Sequence, residues 1–136
     1  VAELLSFIKL HDIENVHFIT ADVHYCASHY YSPTNAQFKQ FKPFWEFVSG
    51  PLHAGTFGSN RLDNTFGPEL VFKGIPDDLP PNLSPVSGYQ FFGVMSIDAQ
   101  SQKLTVSHIN REGDVLWSKV LKPEKQRAAQ QYQQSL

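Results

Sequence analysis

Apolar and polar positions follow different rhythms along this chain, and each rhythm predicts an element. Residues 1–12 carry apolar groups at Val1, Leu4, Leu5 and Ile8, with Phe7 and Leu10 less regularly placed. That spacing predicts an amphipathic helix of about three turns. Lys9 and His11 fall near its end, where positive charge is favoured. After Asp12-Ile13-Glu14-Asn15, residues 16–21 read as a strand buried on both faces apart from His17. Helix then strand is the second half of a β-α-β unit, whose first strand would lie before Val1. Residues 25–31 alternate well enough for a short strand, which Pro33 ends. Residues 34–43 are polar around Phe38 and Phe41 and read as a loop or one helical turn. Phe44-Trp45-Glu46-Phe47-Val48-Ser49 is a firm strand, and the turn Gly50-Pro51 leads from it to His53.

Residues 55–88 break the rhythm. Gly, Pro, Asn and Asp dominate, the apolar pieces are short (Leu70-Val71-Phe72 and Leu79), and Pro76, Pro80, Pro81 and Pro85 forbid long regular elements. A loop of this length is expected to cross the face carrying Asp22 and His24 as a lid or wall, with an ordinary irregular excursion as the alternative. Regular alternation returns afterwards. Residues 89–98 read as a strand and 99–102 as a turn. Residues 103–109 follow with period two, placing Leu104, Val106 and His108 on one face. A turn at 110–114 and a closing strand at 115–121 complete an antiparallel meander. Residues 1–121 are expected to form one unit and residues 122–136 a polar, Gln-rich tail. The helix-like start at Val1 reads as an interior point of a longer protein.

Composition narrows the classes. A chain of 136 residues with 41% hydrophobic positions can bury a core. Eleven basic against 13 acidic residues give a net charge of −2, which does not support binding a polyanion by phosphate neutralisation. No specific nucleic-acid binding is therefore expected. Cys26 is the single cysteine, so no internal disulfide can form. No apolar run approaches the length of a membrane span.

The candidate chemistry gathers at Thr20-Ala21-Asp22-Val23-His24. A carboxylate and an imidazole two positions apart at a strand tip suit a transition metal. A solvated strand end is the plain alternative. His29 reads as a further ligand, a substrate contact or a polar loop residue. His53 is placed to reach the same crevice, and Arg61 to meet an anionic substrate if its loop folds over the site. His17 and His108 read as packing residues, and Cys26 as a small buried side chain. There is no Gly-x-Gly-x-x-Gly, no Walker A and no nucleophile elbow.

Phe18-Ile19-Thr20-Ala21-Asp22-Val23-His24-Tyr25, then Phe44-Trp45-Glu46-Phe47-Val48-Ser49-Gly50-Pro51-Leu52-His53-Ala54-Gly55, resembles the C-terminal part of the PhoD-like alkaline phosphatases. Residues 91–98, 104–106 and 111–116 look like that family's terminal meander. The resemblance implies an α/β fold, the C-terminal half of a metallophosphatase-like layered α-β-β-α arrangement. It implies metal-dependent hydrolysis of phosphate mono- or diesters by the longer parent, at a centre of iron and calcium. Asp22 and His24 would be metal ligands, aligned with the family's Ser-Gly-Asp-Val-His, from which Ala21 departs. His29, His53 and Arg61 would be substrate contacts or site wall. The other ligands would lie in a preceding N-terminal part of the same domain, and the parent would work in the periplasm or outside the cell. A non-enzymatic β-rich binding module, using Phe38, Phe41, Trp45 and Trp117, is the competing reading, and a metallohydrolase acting on another substrate is a third.

Overall fold

The computed structural model describes residues 1–124. Most of the expected tail, from residue 125 onward, lies outside the described residues. One helix, α1 (Ala2–Leu10), precedes two sheets, so the fold is mixed α/β and mostly strand. The helix presents Leu5 and Ile8 inward and leaves Leu4, Phe7 and Leu10 exposed. Its last turn closes on His11, whose ring lies 4.1 Å from that of Phe7.

The first sheet contains β1 (Phe18–Thr20), β2 (Ala27–Tyr31), β3 (Phe44–Val48) and β4 (Pro68–Lys73), in the order β1-β3-β2-β4. β1 runs parallel to β3, while β2 is antiparallel to both β3 and β4. The second sheet is the meander β5 (Phe91–Ile97), β6 (Leu104–Asn110) and β7 (Val115–Leu121). Its two pairings are antiparallel, with a bulge between His108 and Ile109. Val106 and His108 are buried on one face of β6, as the period-two pattern predicts.

Two expectations need correction. The strand anticipated over residues 16–21 spans Phe18–Thr20 only, and it is not buried on both faces: Ile19 is 67% exposed. β1 is an edge strand, so its outer side has no sheet partner among the described residues. The second concerns residues 55–88, which contain β4 and a short 3-10 turn at Pro85–Ser87 rather than continuous loop. β4 pairs with β2 across about forty residues of sequence, and its half-exposed Leu70 and Val71 mark it as the opposite edge of the sheet.

Two apolar clusters hold these layers. Leu5 of α1 packs with Ala36, Phe41 and Phe44, and Phe18, Tyr31, Phe38 and Phe66 close around them. The second cluster joins Ala27 and Val48 of the first sheet, with Tyr25 and Cys26 just ahead of β2, to Ile75, Leu79 and Phe91. Between the sheets the His108 ring stacks on Phe72 at 5.5 Å and on Trp117 at 5.7 Å, and Trp117 also approaches Phe47 and Trp45. Aromatic contacts of this kind add about 0.5–1.5 kcal/mol each beyond area burial.

Candidate functional site

The site begins with a topological constraint. β1 and β2 follow one another in the chain but are separated in the sheet by β3. Residues 21–26 must therefore pass over the carboxyl end of β3, where Ser49 and Gly50 leave the sheet. The backbone turns sharply to do so: Asp22 has φ 79° and His24 φ 59°. Asp and His enter the left-handed region more readily than most residues, yet each such residue still costs roughly 1 kcal/mol or more. The two side chains are thus placed by turns and not by the alternation of an extended strand.

Nδ1 of His24 lies 2.7 Å from the carbonyl oxygen of Gly55. A carbonyl can only accept, so Nδ1 carries a proton, and in the neutral ring the lone pair is then on Nε2. Phe57 N–H donates to the His24 carbonyl at 3.4 Å, and the Phe57 ring meets the imidazole edge-on at 5.1 Å. Asp22 is exposed. The Asn60 amide donates to the Tyr25 hydroxyl at 3.3 Å. The start of the long excursion therefore does lie against the turn carrying Asp22 and His24, as a wall beside it.

Behind the turn, β1 is fastened to β3. Ser49 N–H donates to the Thr20 carbonyl at 3.4 Å, and Thr20 Oγ1 donates to Glu46 Oε1 at 2.9 Å. Tyr31 donates its hydroxyl to Glu46 Oε2 at 2.8 Å. His29 Nδ1 lies 3.2 Å from the same oxygen. His29 beside it, followed by the Tyr31 and Thr20 hydroxyls, holds the Glu46 carboxyl below its ordinary range against the opposing effect of burial. Burial, reinforced by Glu46, pushes the Tyr31 phenol up.

The anticipated site residues do not all meet. Asp22 and His24 share one turn. His53 is exposed on the segment joining Ser49 to Gly55, the same segment that delivers the carbonyl to His24. Arg61 is exposed in the following stretch. His29 sits inside the sheet at 4% exposure, level with Glu46 and Phe18, two positions below the strand end. It is buried beside Glu46, apart from the turn with Asp22 and His24. Cys26 is fully buried, and burial pushes its thiol up to about 12. His17 is half-buried, which lowers its pKa. The roles of Gly55 and Phe57, which hold His24, escaped the reading of the sequence. Two of their three contacts use backbone atoms, and a backbone carbonyl leaves no signature in a sequence.

A family model for PhoD-like phosphatases matches residues 2–108. The chain belongs to that family. No curated protein and no solved structure gives a match. The matched stretch runs from α1 into β6, so it contains the turn with Asp22 and His24, the segment 49–57 that holds it, and the Glu46 network. Family membership points to phosphate ester hydrolysis. Among the described residues no set of three or more His, Cys, Asp or Glu side chains is grouped to hold a metal. No helix among them is long and apolar enough to cross a membrane.

Proposed function

We propose that this chain forms one side of the active site of a metal-dependent phosphate mono- or diester hydrolase, with Asp22 and His24 as two of the metal ligands. The observation that carries the reading is the Nδ1–H to Gly55 carbonyl hydrogen bond. Metal-ligating histidines characteristically donate their second ring nitrogen to a carbonyl or carboxylate, which fixes the tautomer and raises ligand basicity. The donor set fits as part of a site: a carboxylate suits calcium or iron, and a neutral imidazole suits iron. When bound, such metals would neutralise charge on the phosphoryl oxygens and activate water. The role of the chain is to hold two donors on a turn clamped by β3 and by Gly55. Exposed His53 and Arg61 would meet the phosphate ester from the adjoining segments.

The remaining ligands would come from a further part of the same domain, in the layered α-β-β-α arrangement. The open side of β1 and exposed Ile19 support that reading, because an unpaired apolar edge invites another strand. The aromatic residues a β-rich binding module would use are occupied otherwise. Phe41 is 2% exposed, Phe38 packs on its cluster, and Trp45 and Trp117 lie against Phe47.

The test is substitution in the full-length protein. Asp22→Asn and His24→Gln are each expected to lower the affinity for iron by at least about 100-fold. Hydrolysis of p-nitrophenyl phosphate and of its bis-ester should fall in parallel. Wild-type iron content and wild-type turnover in both variants would refute the ligand assignment.

A further inference from the structure

His24 is held by three contacts from two residues, Gly55 and Phe57. Gly55 accepts its Nδ1–H, Phe57 N–H donates to its carbonyl, and the Phe57 ring closes on its imidazole. Between them lies Thr56, which does not touch His24 in any of these contacts and is fully buried. Thr56 is tied to two other parts of the chain. Its N–H and carbonyl form a reciprocal pair of 3.0 Å hydrogen bonds with Leu83, and its Oγ1 donates to the Tyr89 carbonyl at 3.0 Å. Tyr89 leads directly into β5, whose Phe91 N–H donates to the Pro51 carbonyl at 2.9 Å. The segment from Pro51 to Phe57 is thus tied to β5 at Pro51, and at Thr56 to Leu83 and Tyr89 ahead of β5. A side chain at Gly55 would press on its neighbours. A Cβ there would lie 2.8 Å from Asn82 Oδ1 and 3.0 Å from the Leu83 carbonyl oxygen, the same oxygen that receives Thr56 N–H.

We propose that Thr56 and Gly55 are positioning residues for His24: Thr56 anchors the peptide whose Gly55 carbonyl selects the Nδ1–H tautomer, presenting Nε2 as the donor to a metal. The inference rests on the metal-ligand reading of His24 and adds to it the groups that set the ligand's protonation and orientation. The left-handed backbone at His24 gives the arrangement a further reason. A histidine in that conformation needs outside contacts to stay there, and residues 55–57 supply them.

The full-length protein carrying Thr56→Val, Thr56→Ser or Gly55→Ala tests this. Valine keeps the shape and the backbone pair with Leu83 but loses the hydroxyl, while serine restores it. Long-range nitrogen–proton correlation spectra of the metal-free protein report the His24 tautomer. Titration with Fe(II) against a competing chelator reports affinity. Gly55→Ala and Thr56→Val are expected to reduce the Nδ1–H population and to weaken Fe(II) binding by roughly 10- to 100-fold, with Thr56→Ser close to wild type. Val106→Ala, in the core of β6, serves as a destabilised control that should change neither readout. A wild-type tautomer and wild-type Fe(II) affinity in Gly55→Ala and Thr56→Val would overturn the proposal alone. If instead His24→Gln leaves Fe(II) affinity unchanged, the ligand reading fails and the positioning role falls with it.

Discussion

His108 is the residue on which the two sheets meet. It is fully buried, with Nε2 2.7 Å from Ser28 Oγ and Nδ1 3.3 Å from Ser49 Oγ. A neutral imidazole has one donor and one acceptor, so one serine gives a hydrogen to the ring and the other takes one. Burial lowers its pKa from 6.5 to about 4. The unfolded chain therefore binds a proton as pH falls through 6.5, while the folded chain stays neutral until about 4. Stability is complete above the unfolded value and declines between the two, by at most about 3 kcal/mol. Urea midpoints measured from pH 7.5 down to 4.5 should fall accordingly, and His108→Gln should flatten that limb. A wild-type midpoint that holds steady across this range would contradict the assignment. Glu46, whose carboxyl is held low, adds a loss only at still lower pH.

Among the elements, β4 shows where sequence patterns lose their hold. β3, β6 and β7 were legible because their alternation is long and their turns carry recognisable residues. β4 opens on Gly67-Pro68, faces solvent with Leu70 and Val71, and owes its strand state to β2, about forty residues earlier. Local pattern cannot register a partner so distant. β1 was legible as a strand but not as an edge, since exposure of Ile19 depends on what lies beside it. Asp22 and His24 were legible as neighbours just past the end of β1, whereas the Gly55 carbonyl that meets His24 was not. Gly67 shows how closely β4's start is fitted. Its φ is 57°, and a Cβ there would overlap the Asn35 carbonyl and lie 2.6 Å from Ala36 N. That stretch is also laced by Gln37 N–H to Asn64 and Phe38 N–H to Thr65, each at 2.9 Å. Gly67→Ala is expected to destabilise the fold by about 2–4 kcal/mol, combining left-handed strain with displaced backbone. Chemical denaturation of the variant measures this, and a loss below about 0.5 kcal/mol, the range of ordinary surface substitutions, would show that the approach is not rigid.

At the scale of the molecule, the proposed division of labour predicts the behaviour of the chain alone. A catalytic metal centre needs more donors than one carboxylate and one imidazole. The 136-residue chain, purified with added iron and calcium, should hydrolyse p-nitrophenyl phosphate no faster than the metals do. Sustained turnover abolished by Asp22→Asn would show that the site completes itself without another part of the domain. The bridge between Thr56 and Leu83 has a separate consequence. It closes the excursion between them at its neck, and β4 fastens the middle to β2. Between the Asn60 contact to Tyr25 and the Asn64 contact to Gln37, exposed Arg61 and Leu62 stand at the outermost part of the first half of this excursion. Doubling the length of such a loop costs only about 0.6 kcal/mol in closure entropy. Insertions at Arg61 and Leu62 can therefore be absorbed while the turn around His24 stays in place, so this rim is free to diverge on a backbone geometry that does not.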